Sequence, residues 1–319
     1  MSADLTNPIF TDETKAREYL EQVRWPTGPY CPYCPYCPKC GSTEGQTRME
    51  GKTTRPGLHK CNACQAHYSV TMGTVYERSH IPLHKWLLAT HLLTSGKKGV
   101  SAHQIHRMLG ITYKSAWFMC HRIREGMKGA NPGTMGGPGQ VVEADETYIG
   151  PSGLTTDAEG KPQRKRGYGD KRKIVSLVER GGRVRSVKVD NVTAKQVGEI
   201  LLANVDRKSA LMTDEANHYR TLGKTFASHG TTQHAKGEYA KTGGIHTNTV
   251  EGYFSIFKRG MKGVYQHCSE QHLQRYLNEF DFRYSNRSRL GVEDVERHYL
   301  AVKGITGKRL TYRRPIRLA

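Results

Sequence analysis

A multidomain α+β chain is predicted by three observations. Six of the eight cysteines lie between Cys31 and Cys64, a glycine- and proline-rich stretch interrupts the chain at 129–140, and apolar runs of strand length follow it. The 319 residues suffice for about two ordinary domains of ~150 residues each. The expected division is a helix and a cysteine-knuckled ribbon over 1–80, a helical region over 81–128, the linker 129–140, an α/β domain over 141–300 and a basic tail over 301–319.

Lysine and arginine exceed the acids by a formal +20, a charge that attracts polyanions. Nucleic acid is the expected partner, because the basic residues spread over the whole length instead of forming the basic amphipathic helix that a membrane surface calls for. No window approaches the ~18 uninterrupted apolar residues of a membrane span. Residues 1–10 lack the basic and apolar regions of a signal peptide, so a cytoplasmic, nucleoid-associated protein is expected.

Clustered cysteines in a reducing compartment point to a metal, not to disulfides. Cys37-x2-Cys40 and Cys61-x2-Cys64, with twenty residues between the pairs, match one structural zinc ion held by four thiolates. The run from Cys31 to Cys40 offers three overlapping first pairs. A knuckle turns tightly after its second cysteine, which favours glycine there and disfavours proline. Only Cys40 is followed by glycine, Gly41, whereas Cys34 and Cys37 are followed by Pro35 and Pro38. Cys31 and Cys34 then read as a tandem duplication of the knuckle.

Residues 12–23 carry Ala16, Tyr19, Leu20 and Val23 at helical spacing, and 83–93 read as a second helix. His67 to Met72 has β character. Ser101 caps a helix over 102–109 that Gly110 stops, and a further helix over 112–127 places Ala116, Cys120, Ile123 and Met127 on one stripe. This is helix-turn-helix spacing. Lys114, His121, Arg122 and Arg124 fall away from the stripe, as on a DNA-recognition helix. A plain helical bundle would show the same apolar pattern.

After the linker come strands over 141–149, 174–179 and 184–189, with a basic loop at 161–173, then a helix over 193–204 and a strand over 210–213. Three strands in a meander, a helix and a fourth strand begin a ribonuclease-H-like sheet. Alternation along the first strand puts Glu143 and Asp145 on one face and Glu146 on the other. Asp214 follows the fourth strand, where ligands of α/β sheets gather. A helix from about 246 to 259 packs Val250, Phe254 and Phe257 inward. Glu251 and Lys258 lie two turns apart on another face, too far for a direct pair.

Polynucleotide phosphoryl transfer uses two divalent cations about 3.5–4 Å apart, held by three or four carboxylates. Hard oxygen donors select magnesium or manganese. Asp145, Asp214 and Glu251 would supply that set, two ions per site, with Lys258 aimed at phosphate and Asn248 and Arg259 expected to contact DNA.

These residues resemble the insertion-sequence 1595 family of transposases. The resemblance rests on the ribbon Cys-Pro-Lys-Cys-Gly-Ser with its second knuckle, on residues 73–86, on the helices of 101–127, on Val-Glu-Ala-Asp-Glu-Thr-Tyr-Ile-Gly (142–150) and on His-Thr-Asn-Thr-Val-Glu-Gly-Tyr-Phe-Ser (246–255). It implies a metal-dependent DNA transposase with catalytic Asp145, Asp214 and Glu251, and Lys258 as the basic residue after the third acid. The family's third position is Glu or Asn; Glu251 is assigned here and Asn248 is the alternative. The expected substrates are the element's terminal inverted repeats and target DNA, and two chains are expected to pair, because two ends are processed together. Two other readings share parts of the pattern: a DNA-binding regulator with an inactive catalytic domain, and a nuclease that only hydrolyses.

Overall fold

The computed structural model describes residues 4–26, 45–129, 133–150, 154–156, 160–164, 167–168, 170–233, 238 and 240–311. The chain forms two compact units, one from residues 1–130 and 292–319 and the other from 131–291.

In the first unit, helix α1 (Glu13–Arg24) starts where the Asp12 carboxylate accepts the Lys15 amide at 2.8 Å, and it buries Ala16, Leu20 and Val23. Strands β1 (Gln46–Arg48), β2 (Leu58–Cys61) and β3 (His67–Ser69) form an antiparallel sheet in that order. Its packing is aromatic: Trp25 meets His59 and Tyr68 edge-on, and the Tyr68 hydroxyl donates to Gln46 Oε1 at 2.7 Å. Helix α2 (Leu83–Ser95) buries Trp86, Leu87, Ala89 and Leu93. Helices α3 (Ala102–Leu109) and α4 (Tyr113–Met127) begin at Ser101 and Thr112, whose hydroxyls accept the Gln104 and Ser115 amides. Gly110 joins them at φ 60°, a left-handed conformation that glycine adopts without steric cost.

The second unit is built on strands β4 (Val141–Ile149), β7 (Arg172–Glu179) and β8 (Val184–Val189), an antiparallel meander, with the short pair β5 (Leu154–Thr156) and β6 (Pro162–Arg164) inserted after β4. Helix α5 (Ala194–Asn204) carries the chain across to β9 (Ala210–Thr213), which runs parallel to β4. Helix α6 (Asn217–Leu222) then leads to β10 (Ser228–Thr231), parallel to β9. The five-stranded sheet has the order β10-β9-β4-β7-β8; it contains the meander, helix and fourth strand expected from the sequence, and that strand runs parallel to β4. A small pair, β11 (Ala240–Lys241) and β12 (Ile245–His246), precedes α7 (Asn248–Gly260); α8 (Leu273–Ser285) follows. Side chains alternate along the strands. Val142, Ala144, Val175 and Leu177 pack with Val197 and Leu201 of α5, whereas Ile174, Val178 and Val184 pack with Val250, Tyr253 and Phe257 of α7 and Leu277 and Phe280 of α8.

The last helix, α9 (Asp294–Lys303), belongs to the first unit, where it packs on α2, α1 and α4. The sequence division is corrected here: residues 292–300 do not continue the α/β unit, and 301–311 follow α9 back into the first core. Ile305 is buried there, and Lys308 Nζ donates to the Gly126 carbonyl at 2.7 Å. Only Ala301 and Val302 of the α9 apolar residues are buried, together with Arg297 and His298, so its pattern gives no sign of which core it joins. No helix among the described residues is long and apolar enough to cross a membrane.

Candidate active site

The parallel pairing of β4 with β9 sets the site. Glu143 stands opposite Met212; Asp145 comes two residues later on β4 and Asp214 directly follows β9, near enough for the Asp214 charge to act on Asp145. Three of the four residues 143–146 are acids, and period-two alternation separates their roles. Glu143 and Asp145 project toward α7, while Glu146 projects toward α6, where its Oε1 accepts from His218 Nε2 at 2.8 Å and from the Tyr219 hydroxyl.

Glu143 is wholly buried and fully occupied. It accepts Arg180 Nε at 2.6 Å, the Thr249 and Val250 amides at 2.8 and 2.9 Å, and the Thr249 hydroxyl at 2.8 Å; His246 Nδ1 lies 3.2 Å away. Asp145 is treated differently. Its Oδ1 accepts the Glu146 amide at 2.7 Å. Burial, and then the negative charges of Glu146, Asp214 and Glu251, push its carboxyl up to about 8. Asp214 is also raised, chiefly by burial with Glu146 adding; the Ala216 amide at 3.0 Å and the nearby His218 oppose that shift. The His218 imidazole is held above its ordinary value by its bond to Glu146.

Glu251 lies in the first turn of α7 and accepts the Thr247 hydroxyl at 3.0 Å. Asn248 begins the same helix and is exposed. Lys258 is exposed two turns on, its ammonium 5.9 Å from the centre of the Phe254 ring, and Arg259 Nε donates to the Ser255 carbonyl at 3.1 Å. The three expected acids therefore share one electrostatic neighbourhood. They do not form a closed coordination shell: among the described residues no three His, Cys, Asp or Glu side chains converge as metal ligands.

Cys61 ends β2 and is buried; Cys64 lies in the turn that follows. The Cys61 amide donates to the Ala66 carbonyl at 2.9 Å, and Gln46 Nε2 approaches Cys61 Sγ at 3.7 Å. Gln65, directly after the second cysteine, adopts φ 56°. Cys31, Cys34, Cys37 and Cys40 lie outside the described residues.

Helix α4 corrects the DNA-contact assignment. Lys114 is exposed, but His121, Arg122 and Arg124 are buried, at 1%, 7% and 2% exposure. The Arg122 guanidinium lies over the Trp86 ring at 5.0 Å and donates to the Glu77 carbonyl at 2.6 Å; His121 packs edge-on to Trp117. The reason is that α2, α3 and α9 all pack on α4, so its buried surface is far wider than the apolar stripe. Among the residues that α3 and α4 leave exposed are His103, stacked on Tyr113 at 4.1 Å, and Arg107 and Lys114.

Sequence reasoning saw Glu143 and Glu146 but not their partners. Glu143 is clamped by Arg180, 37 positions away, and by Thr249 and Val250, 106 and 107 positions away, which no local pattern reveals, and Glu146 is engaged by the His218-Tyr219 pair that follows Asp214.

Two family models match the chain: a transposase zinc-ribbon domain over residues 11–67 and an ISXO2-like transposase domain over 136–285. A protein in transposable element ISH50 of Halobacterium salinarum is 28% identical over 291 residues, covering 86% of this chain and 91% of its own. Among solved structures, a simian T-cell lymphotropic virus intasome in complex with PP2A regulatory subunit B56 gamma aligns with 14% identity and a TM-score of 0.28, over 56% of this chain and 63% of that one. The mariner Mos1 paired end complex with Mg aligns with 12% identity and a TM-score of 0.25, over 65% of this chain and 75% of that one. Superpositions at these scores add nothing to the assignment, which rests on the two domain matches. Both models belong to the insertion-sequence 1595 group, and the chain is a member of that transposase family.

Proposed function

We propose that this chain is the DNA transposase of an insertion sequence: it binds the element's terminal inverted repeats, cleaves the 3′ ends and joins them to target DNA. The observation that carries the reading is Asp145, half-hidden on the central strand of a ribonuclease-H-like sheet, where the charges that act on it most are other carboxylates. Such a group gains most from a divalent cation. Asp145, Asp214 and Glu251 are hard oxygen donors suited to magnesium or manganese. Two bound ions would supply activation of the attacking oxygen and stabilisation of the leaving oxygen.

The chain's own residues do the rest. Glu251 is favoured over Asn248 as the third donor, because it bears the charge that acts on Asp145 while Asn248 is neutral and exposed. Exposed Lys258 and Arg259 on α7 suit phosphate contacts. In the first unit, Lys114, Arg107 and the stacked His103 and Tyr113 form the surface proposed for DNA contact in place of the buried α4 cations. A zinc ion held by Cys61, Cys64, Cys37 and Cys40 fits the ribbon. The left-handed Gln65 after Cys64 supports that register, since the matching position after Cys40 is Gly41, and Pro35 or Pro38 could not adopt positive φ. Two chains acting on paired ends, within the nucleoid, complete the proposal.

The test is an end-DNA cleavage and joining assay in magnesium, with Asp214→Asn beside the wild type. Loss of both steps with end binding retained supports the reading. Cleavage without joining by the wild type favours a hydrolytic nuclease, and end binding without either step favours a regulator.

A further inference from the structure

We propose that Glu143 is a positioning residue that fixes the third acid relative to the first. The proposal rests on the reading of Asp145, Asp214 and Glu251 as the catalytic acids. Helix α7 begins at Thr247 without a side-chain cap of its own, so the amides of its first turn need acceptors from elsewhere. Glu143 supplies them: one carboxylate oxygen takes both the Thr249 and Val250 amides, and the other takes the Thr249 hydroxyl and Arg180 Nε. A buried negative charge at the positive end of a helix is favourable in its own right.

The placement of this clamp gives it a role beyond stability. Glu143 precedes Asp145 by two residues on the same strand face, and Glu251 follows Val250 directly. A single carboxylate thus ties the strand of the first acid to the helical turn of the third. Arg180 extends the clamp, donating to the Gly244 carbonyl at 2.7 Å and the His246 carbonyl at 2.8 Å, which fixes the segment entering α7. Misplacement of a reacting group by about 1 Å costs ~100-fold in rate. Release of this turn should therefore cost catalysis more than it costs folding.

The experiment uses the full chain and compares wild type, Glu143→Gln, Arg180→Lys and a control, Leu277→Ala, which opens a cavity in the α8 core of the same unit. Glutamine keeps the shape of Glu143, but its amide must face either Arg180 or the helix amides, so one set loses its acceptor. For Glu143→Gln we expect hydrogen exchange at 249–251 to rise about tenfold while 254–260 stay protected. End-DNA cleavage should fall about 100-fold with end binding within twofold, and the magnesium needed for half-maximal cleavage should rise several-fold. Arg180→Lys should do the same to a smaller degree. Leu277→Ala should lower the melting temperature yet cleave within a few-fold of wild type, at an unchanged magnesium requirement. Near-normal cleavage by Glu143→Gln, exchange raised evenly across the unit, or an equal loss in Leu277→Ala overturns the proposal. If Glu143→Gln does not fold, Arg180→Lys decides by the same criteria. Should the wild type cleave no end DNA, the transposase reading fails, and the local exchange result still decides the clamp.

Discussion

Helix α4 buries Arg122 against the Trp86 ring and the Glu77 carbonyl, whereas strand β4 holds the half-hidden Asp145 among acids of its own sign. Glu143, two residues from Asp145, resembles Arg122 more than its neighbour, being met by Arg180, two backbone amides and a hydroxyl. The difference teaches how to read a charge inside a fold. One whose partners are supplied by the fold is architecture, because its desolvation is offset within the protein. One surrounded by like charges is stable only with something the fold does not supply.

The strongest way to break this comparison is to neutralise Asp145. Asp145→Asn should reduce end cleavage by about 1,000-fold or more, since both chemical steps draw on the same acids. The same change should raise the melting temperature of the second unit in metal-free buffer at pH 8, by removing a repelled charge. Calorimetry showing a lower temperature would mean that Asp145 is compensated after all.

Next in size is the ribbon, whose described residues pack around the aromatic rings of Trp25, His59 and Tyr68. Cys61→Ser should release zinc and unfold residues 45–69, with the second unit intact, as metal analysis and exchange would report. Cys31→Ser should retain zinc. Zinc loss from the latter would move the first knuckle upstream.

Arg122→Ala should destabilise the first unit by about 2–3 kcal/mol, because it leaves a buried carbonyl and an aromatic face without their cation. Denaturant melts measure this. A variant of wild-type stability with weakened DNA binding would return Arg122 to the DNA surface.

The two units should also answer pH with opposite slopes. Burial, with His91 beside it, drives the His298 imidazole down to about 3. The folded first unit holds the neutral ring, so its stability is intact above the ordinary histidine value near 6.5 and falls on acidification, by about 2 kcal/mol at pH 5. Asp145 is raised instead. In the absence of metal the second unit keeps the stability of its protonated form at low pH and loses it as pH rises toward 8. Magnesium should cancel that loss, and Asp145→Asn should flatten it. Parallel slopes for the two units would erase the contrast.

The smallest effect expected is that of Lys114→Ala, a few-fold loss of end-DNA affinity and a salt slope shallower by about 0.9, with no change in melting.

Much of this was already written along the chain. Ser101 begins α3 as its cap, and Gly110 ends α3 in the left-handed conformation. Strand β4 spans 141–149 as its apolar run predicted, and period-two alternation put Glu143 and Asp145 on the face opposite Glu146. These features depend on neighbours within a few residues, so a single sequence determines them. The burial of His121, Arg122 and Arg124, the return of α9 to the first core, and the clamp joining Glu143 to Thr249 and Val250 were decided only by the tertiary structure. Periodicity tells which face of an element a residue occupies, but not how many of its faces other elements will cover. Nor does it tell which carboxylate will meet a distant helix terminus and which will be left among its own kind.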